Sequence, residues 1–270
     1  MKTYVIVRQT PDTEAKIKVN GDGRSINSES IKWIVNPYDE FAIEEAIRIK
    51  ENHGGEVVLI TMGPARNLEA LRTGLAMGAD SAIHIKDESF ASADPYAIAK
   101  VIAQEIKNSG DYDLILTGKK MIDEETGQVG IHVAEDLGIP QGAVVTKLDI
   151  SDDRKSVRVQ KEIEGGQVIV DLPLPALLTC ERGLNEPRYA SLPGIMKAKK
   201  KPVKVIETGD IDFSSIGLSA EQLGEGGSRY AVTKLEVPEI KRRLHMIEGM
   251  KVSDAVKELV TALREEAKVI

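Results

Sequence analysis

The segment 118–130, GKKMIDEETGQVG, has the residue types of a phosphate-binding loop. It follows the apolar run DLILT, which predicts a buried strand, and it leads into VGIHVAEDLG, which predicts a helix that begins at Val129. A strand that continues through a glycine-containing loop into a helix presents free backbone N–H groups and the positive end of a helix dipole. Such an arrangement suits a phosphate or pyrophosphate, so we expect a nucleotide beside Gly118 and Gly127.

This loop is neither a Walker A sequence nor a GxGxxG fingerprint. The alternative is an ordinary connection between a strand and a helix, in which the glycines serve only the turn. Three further pieces favour a site: the strand ends Val7-Arg8 and 61–64, and the predicted helix start Asn36–Asp39. Because parallel strands finish at one edge of a sheet, these pieces are expected to meet there.

A search for catalytic groups is mostly negative. The four histidines and the single cysteine, Cys180, have no metal-ligand spacing, and no GxSxG motif is present. The acidic run 123–125 beside the loop is typical of a solvated surface, although Asp123 could fix the loop or accept a hydrogen bond from a ribose hydroxyl. We therefore expect no catalytic residue and no metal site, and any oxidoreductase activity only within a complex.

Predicted strands and helices alternate over the first 140 residues, which indicates parallel βαβ units. We expect an α/β fold with a doubly wound, mainly parallel sheet. Asn36 is the predicted N-cap and Pro37 the first residue of the first helix, on which Glu44 and Arg48 can pair. The other predicted elements are the strands Tyr4–Val7, Val57–Thr61, Ser81–Ile85 and Asp113–Thr117, and the helices within 63–78, Pro95–Lys107 and Val129–Leu137.

Beyond residue 140 the pattern changes to antiparallel hairpins. The predicted strands are Ala143–Asp149, Ser156–Ile163 and Gln167–Leu172, followed by Pro175–Cys180 as the last strand of the core. A further hairpin is predicted near the N-terminus, because Asn20-Gly21 suits a two-residue turn.

The last ninety residues predict a loop, a linker and an arm. The stretch after Cys180 is rich in proline, asparagine and glycine and predicts an exposed loop, followed by a short helix over Ile195–Lys200. GEGGS at 224–228 predicts a flexible linker, and Ser253 can cap a final helix with an apolar stripe. That stripe could pack back onto its own domain or onto a partner chain.

Composition limits the class of protein. The 270 residues have a formal net charge of −7, with 41% hydrophobic and 29% charged residues. This is typical of a globular protein and argues against non-specific binding of nucleic acid. No apolar run approaches the length of a membrane span, and the N-terminal apolar stretch is too short for a signal peptide. One cysteine suits a reducing compartment, so a cytoplasmic location is expected.

Five segments together make the chain resemble the beta subunits of electron-transfer flavoproteins nearly end to end. They are VNPYDEFAIEEAIRIKE, GPARNLEALRTGLAMGAD, GKKMIDEETGQVG, IPQGA and RGLNEPRYASLPGIMKAKKK. The last of these is long, irregular and the most specific. The resemblance implies an adenine-nucleotide-hydrolase-like domain over 1–223, and a linker and C-terminal arm over 224–270 that embraces an alpha subunit carrying the redox-active FAD.

The resemblance also implies that this chain holds its own nucleotide. That nucleotide is AMP in the ordinary carriers of the family and a second FAD in the flavin-bifurcating members. By matching motifs, the contacts are expected at Ile6, Asn36, Pro37, Tyr38, Asp39, Met62, Gly118, Asp123, Thr126, Gly127, Gln128 and Val129.

The segment Arg182–Lys201 resembles the family's recognition loop, which docks partner dehydrogenases. Leu192 occupies the anchor position, where an apolar side chain enters a pocket on the partner; the alternative is a leucine that packs against its own domain. The residues expected at this docking surface are Tyr189, Leu192, Pro193, Ile195 and Met196.

Two features favour FAD over AMP. AMP-type members tend to have Asn-Gln-Thr where this chain has Gly127-Gln128-Val129, and some of them lack an acid at the position of Asp39. With FAD, the resemblance implies bifurcation, in which NADH supplies the electrons. One electron then goes to an acyl-CoA dehydrogenase or a quinone oxidoreductase and the other to ferredoxin or flavodoxin.

Two alternatives stay open at this point. With AMP, the chain would be a structural subunit of a heterodimer that transfers single electrons from a dehydrogenase to a quinone. A stand-alone nucleotide sensor of the stress-protein type would share the fold and need no partner.

Overall fold

A computed structural model of the chain describes residues 1–29, 31–224, 227–238 and 244–270. The predicted linker at 224–228 therefore lies partly outside the described residues. The strands of the described residues are β1 Lys2–Ile6, β2 Gln9–Pro11, β3 Trp33–Val35, β4 Glu56–Gly63, β5 Ser81–Lys86, β6 Leu114–Gly118, β7 Gln141–Ile150, β8 Ser156–Ile163, β9 Gly166–Pro173, β10 Ala176–Cys180 and β11 Val203–Glu207. The helices are α1 Pro37–His53, α2 Asn67–Met77, α3 Pro95–Asn108, α4 Val129–Leu137, α5 Leu192–Ala198 and α6 Val252–Thr261.

One large sheet organises the chain, with the strand order β11-β5-β4-β1-β6-β10-β7-β8-β9. Every pair from β11 to β7 is parallel, β8 pairs antiparallel with β7, and β9 pairs antiparallel with β8 at the edge of the sheet. The predicted α/β fold with a mainly parallel sheet is confirmed. β1 is central, between β4 and β6, so its carboxyl end faces loops on both sides.

Alternate residues of the central strands pack on opposite faces of the sheet. Val5 and Val7 pack in one apolar cluster with residues of α1 and α2, whereas Tyr4 and Ile6 pack in a second cluster with residues of α3 and α4. Both faces are covered, and for that reason β1, β4 and β6 are almost continuously apolar. The sheet is therefore doubly wound, and its strand ends form the edge at which a ligand is expected.

The predicted strand Pro175–Cys180 is observed as the fully buried β10, but it is not the last strand of the sheet. The chain returns as β11 and pairs in parallel with β5 at the far edge of the sheet. Only Ile206 of β11 is buried, and lysine and glutamate occupy exposed positions. Such a short, charged edge strand lacks the apolar run from which the other parallel strands were predicted.

The prediction of a two-residue turn at Asn20-Gly21 is also wrong. A single antiparallel bridge joins Val19 and Ile26, and the intervening turn is longer than two residues. The carboxylate of Asp22 accepts hydrogen bonds from the backbone N–H groups of Arg24 and Ser25, at 2.9 and 3.1 Å. These bonds within the turn replace the tight hairpin.

The final helix begins at Val252 with Lys251 as N-cap, so the predicted cap at Ser253 is wrong by two residues. No residue of α6 is buried, and its apolar side chains Val256, Leu259 and Val260 are exposed. The stripe does not pack onto the rest of the described chain. Among the described residues, no helix is both long and apolar enough to cross a bilayer.

Candidate functional site

A small open cleft lies at the carboxyl ends of β1 and β6. These strands are neighbours, with Ile6 in register with Thr117, so the residues that follow them lie close to one another. The lining residues come from the end of β1, the start of α1, the end of β6, the loop after it and the first turn of α4. They are Arg8, Asp39, Thr117, Gly118, Lys120, Met121, Thr126, Gly127, Gln128, Val129 and Gly130.

Asp39 links the segments that follow the two strands through hydrogen bonds. Its Oδ2 accepts a hydrogen bond from the backbone N–H of Arg8 at 2.8 Å, and its Oδ1 accepts one from the N–H of Gly118 at 2.9 Å. The residue is only 2% exposed, and burial raises the pKa of its carboxyl to about 7, against the lowering effect of these hydrogen bonds. Both oxygens are therefore committed to backbone donors of the floor of the cleft.

Asn36 and Pro37 begin α1 as predicted, but the side chain of Asn36 does not cap the helix. Its Nδ2 instead donates to the carbonyl of Lys120 at 2.9 Å and so holds the loop after β6. Asn36 is fully buried, and its Oδ1 has no hydrogen-bond partner among the described residues. The start of α1 thus positions both the floor and one wall of the cleft.

The loop after β6 requires glycine at 127. Gly127 has a φ of +59°, and a Cβ at this position would lie 2.9 Å from the carbonyl oxygen of Lys119. Any larger residue would be strained and would push the loop outwards. The glycine therefore serves a loop conformation that keeps the backbone close to the cleft.

The first turn of α4 lies directly on the end of β6. A Cβ on Gly130 would come 2.6 Å from Cγ2 of Thr117, so glycine permits this close approach. The predicted helix bounds are confirmed, with Gln128 as N-cap, and no side chain caps the first turn. Its backbone N–H groups and the positive end of the helix dipole are left for another acceptor.

The lysines next to the cleft are paired. Lys120 forms a salt bridge with Glu125 at 2.6 Å, and Lys119 forms one with Glu181. Lys119 also lies over the ring of Tyr38, with its Nζ 5.1 Å from the ring centre. By contrast, the guanidinium of Arg8 makes no hydrogen bond or ion pair with any described residue.

Six of the residues predicted to bind a nucleotide line this cleft: Asp39, Gly118, Thr126, Gly127, Gln128 and Val129. The other six, which do not line it, are Ile6, Asn36, Pro37, Tyr38, Met62 and Asp123. Ile6 and Met62 are buried, whereas Asp123 is exposed and accepts a hydrogen bond from the N–H of Glu124 at 2.9 Å. Their contact with a nucleotide stays a prediction.

Five lining residues were absent from the predicted contacts: Arg8, Thr117, Lys120, Met121 and Gly130. The strand end Val7-Arg8 was one of the parts of the chain predicted to meet at the site. A cation shortly after a central strand indicates a role for Arg8 in binding an anion. The other four flank predicted residues in the chain, and no pattern of residue types marks them.

The predicted docking segment is fixed to α1 by Arg188. The guanidinium lies 2.8 Å from Glu44 and 2.6 Å from Glu51, and these hydrogen bonds raise its pKa. The predicted pair of Glu44 and Arg48 is therefore wrong, because Glu44 is buried under Arg188 and Arg48 lies 3.7 Å from Glu45. The anchor fixes one end of an otherwise exposed surface.

The residues expected to dock a partner lie on that surface. Tyr189 is 98% exposed and Leu192 is 75% exposed, so Leu192 does not pack against its own domain. Leu192 begins α5, whose N-cap Ser191 accepts a hydrogen bond from the N–H of Gly194 at 3.1 Å. Pro193, Ile195 and Met196 are also exposed. An apolar group of this kind on a surface is typical of an interaction site.

Comparison with known proteins gives the family. The electron transfer flavoprotein domain model matches residues 25–211. The electron transfer flavoprotein subunit beta of Bacillus subtilis is 40% identical over the full length of both chains. The subunit CarD of the caffeyl-CoA reductase-Etf complex of Acetobacterium woodii is 38% identical over 98% of this chain and 99% of its own. The beta subunit of Sus scrofa is 38% identical over 88% of this chain and 94% of its own. The chain therefore belongs to the electron transfer flavoprotein family, as a beta subunit.

Proposed function

We propose that this beta subunit binds FAD at the cleft between β1, β6 and α4, and that it works in a flavin-bifurcating heterodimer. The observation that carries the proposal is the uncapped first turn of α4, which opens onto a cleft that is also lined by Arg8, a cation with no partner among the described residues. Both attract phosphate groups. The chemistry of the electrons belongs to the flavin, and the chain supplies binding and orientation.

The residues present fit a phosphate-bearing group. Gly127 keeps the loop backbone close to the cleft, and the amide nitrogen of Asn36 holds that loop through the carbonyl of Lys120. Gly118, Gly127 and Val129 line the cleft with backbone and small side chains. When bound, a flavin supplies both one-electron and two-electron transfer, whereas these residues hold its phosphates and exclude water.

The choice of FAD over AMP rests on residue types. Val129 occupies the position at which AMP-type members tend to have threonine, and it removes a hydroxyl from the phosphate end of the cleft. Asp39 is present, but both its oxygens bind backbone N–H groups, so its contribution is to the shape of the floor. The preference for FAD is thus an analogy to which Val129 gives a physical reason.

AMP is the alternative, because the uncapped first turn of α4 and the cation Arg8 attract the phosphate of either nucleotide. With AMP the chain would be a structural subunit of a heterodimer that transfers single electrons from a dehydrogenase to a quinone.

The proposed electron partners follow the family. For a bifurcating complex these are NADH as donor, ferredoxin or flavodoxin as one acceptor, and an acyl-CoA dehydrogenase or quinone oxidoreductase as the other. The name of CarD, a subunit of a caffeyl-CoA reductase-Etf complex, supports an acyl-CoA-dependent partner. The exposed group around Leu192 is the proposed contact for that dehydrogenase.

The proposed structural partner is an alpha subunit that carries the second flavin. The exposed stripe of α6 supports an arm, over 224–270, that packs on that subunit, with the nucleotide-binding domain over 1–223. The same stripe disfavours a stand-alone sensor, which would cover its apolar residues itself. A cytoplasmic location is proposed from the single, buried cysteine, although a relative from Arabidopsis thaliana is named as mitochondrial.

The cofactor content of the purified heterodimer tests the proposal. Two flavins per heterodimer are expected for bifurcation, whereas one flavin and one AMP would support the single-electron carrier. Release by denaturation, followed by chromatography against FAD, FMN and AMP standards, measures all three. A heterodimer with one flavin and no nucleotide would contradict both forms of the proposal.

A further inference from the structure

Arg8 is the one residue of the cleft lining that has a cationic side chain without a partner among the described residues. Lys120, the other lining cation, is neutralised by Glu125. The protein as a whole has a net charge of −7, so an unpaired guanidinium in a cleft is not a consequence of excess positive charge. A guanidinium presents five N–H donors in a planar fork that matches phosphate oxygens.

The backbone of Arg8 is held on both sides. Its N–H donates to Asp39 at 2.8 Å, and its carbonyl accepts a hydrogen bond from the N–H of Asn36 at 2.9 Å. The start of α1 therefore fixes the backbone from which the Arg8 side chain extends.

Arg8 and the first turn of α4 flank the end of β6. Arg8 follows β1, in which Ile6 is in register with Thr117, and Gly130 of α4 approaches Thr117 closely. Both line the same cleft. The site thus presents two separate groups that attract anions, and one phosphate at the helix would leave the guanidinium for a second phosphate.

The charge of Arg8 acts on Asp39 and Tyr230, and it lowers the pKa of each, although burial raises both pKa values overall. Tyr230 therefore stays neutral at pH 7, and Asp39 bonds to the backbone N–H of Arg8 rather than to its guanidinium. Glu124 and Asp94 lie near Tyr230. Glu124 is exposed and screened by solvent, and Asp94 accepts hydrogen bonds from the backbone N–H groups of Ala97 and Arg229.

We propose that Arg8 is a specificity-determining residue, which makes the cleft prefer an adenine nucleotide with a diphosphate over one with a monophosphate. Arg8 binds the second phosphate, and the first turn of α4 binds the other. The inference rests on the proposed nucleotide-binding function and names the class of ligand that the site selects.

Equilibrium binding of ADP and AMP to the nucleotide-stripped heterodimer tests this inference. The wild-type complex is expected to bind ADP at least about tenfold more tightly than AMP, as a charge-assisted phosphate contact allows. Arg8→Met should reduce that ratio to near one, because ADP affinity falls more than AMP affinity. Arg154→Met is the matched control, because Arg154 is exposed in the turn after β7, and it should keep the wild-type ratio.

The outcomes separate the inference from the proposed function. A wild-type ratio near one, or a ratio that Arg8→Met leaves unchanged, overturns the role of Arg8 while nucleotide binding stands. A wild-type complex that binds neither nucleotide overturns the proposed function as well. If Arg8→Met fails to assemble, Arg8→Lys carries the test: it keeps the charge but loses the fork, and its ratio should fall by a few-fold.

Discussion

At the scale of single residues, Asp39 has the most consequential position in the chain. It belongs to the first turn of α1, yet its two oxygens bind the backbone N–H groups of Arg8 and Gly118, which end β1 and β6. The hydrogen bonds lower the pKa of this carboxyl, but the cost of burying its charge is larger and raises the pKa to about 7. Asp39 therefore determines both the geometry of the cleft floor and a pH dependence of stability.

Asp39→Asn is expected to lower the free energy of unfolding at pH 5 by about 1–3 kcal/mol, because an amide nitrogen cannot accept the hydrogen bond of one buried N–H group. The size of this loss should depend on pH. Between about pH 4 and 7, the unfolded wild-type chain loses the Asp39 proton whereas the folded chain retains it, so the contribution of Asp39 to stability falls as pH rises. Denaturant unfolding followed by the fluorescence of Trp33 measures both.

The gap in stability between wild type and Asp39→Asn should thus narrow from pH 4 to 7 and then stay constant. Asp152→Asn is the control, because Asp152 is exposed in the turn between β7 and β8. A gap that widens over this range would mean that the folded state prefers the ionised carboxylate, contrary to the raised pKa.

At the scale of elements, the docking segment between β10 and β11 combines a fixed end with an exposed surface. Arg188 holds the segment on α1 through Glu44 and Glu51, and Asn185 donates to Glu45 at 2.8 Å. A few residues further on, the apolar side chains of α5 are exposed. The anchor lowers the entropy that the segment must lose when a partner binds.

Arg188→Met should destabilise the chain by roughly 1–3 kcal/mol, because it leaves the buried carboxylate of Glu44 without a cationic partner and with only the backbone N–H of residue 188 as a donor. Hydrogen exchange of the backbone at 183–191 should become faster, as measured by mass spectrometry. Arg182→Met is the matched control, since Arg182 is exposed and its guanidinium makes no hydrogen bond with the described residues.

The double variant Glu44→Gln/Arg188→Met isolates the cause. Removal of the Glu44 charge should restore part of the stability lost in Arg188→Met, because the cost lies in an unpaired buried charge. If the double variant is no more stable than the single one, the anchor acts through packing of the arginine side chain instead.

The sequence predicted elements where the local pattern decides the structure. The parallel strands β1, β4, β6 and β10 are apolar runs, and α4 begins and ends at the predicted residues. β11 was not predicted because Lys204 and Glu207 interrupt its short apolar pattern. The roles of Asp39 and Arg188 could not be predicted, since their partners lie 31 to 144 residues away in the chain.

At the scale of the whole molecule, the apolar surface is divided between two separate regions. One is the group around Leu192 and the other is the stripe of α6. No residue of α6 is buried, so its stripe is open to the alpha subunit that a beta subunit of this family implies. The group around Leu192 is the surface proposed above for a second partner.

Leu259→Asp is expected to prevent or strongly weaken assembly with the alpha subunit, because it places a charge in the apolar stripe. Thr261→Asp adds the same charge on the opposite face of α6 and should assemble like wild type. Copurification through a tag on the alpha subunit measures assembly, and circular dichroism checks the fold. Equal copurification of both variants would contradict the role of the arm.

The location of Cys180 has a practical consequence for measuring partner binding. Cys180 is fully buried at the end of β10, which lies between β6 and β7. Burial raises the pKa of its thiol well above the ordinary value. The chain has no other cysteine. Maleimide reagents need an accessible thiolate, so the native protein is expected not to react with them. A cysteine introduced at exposed Tyr189 or Val252 would accept a fluorophore selectively, and interprobe distances could then follow docking and arm attachment in the same preparation.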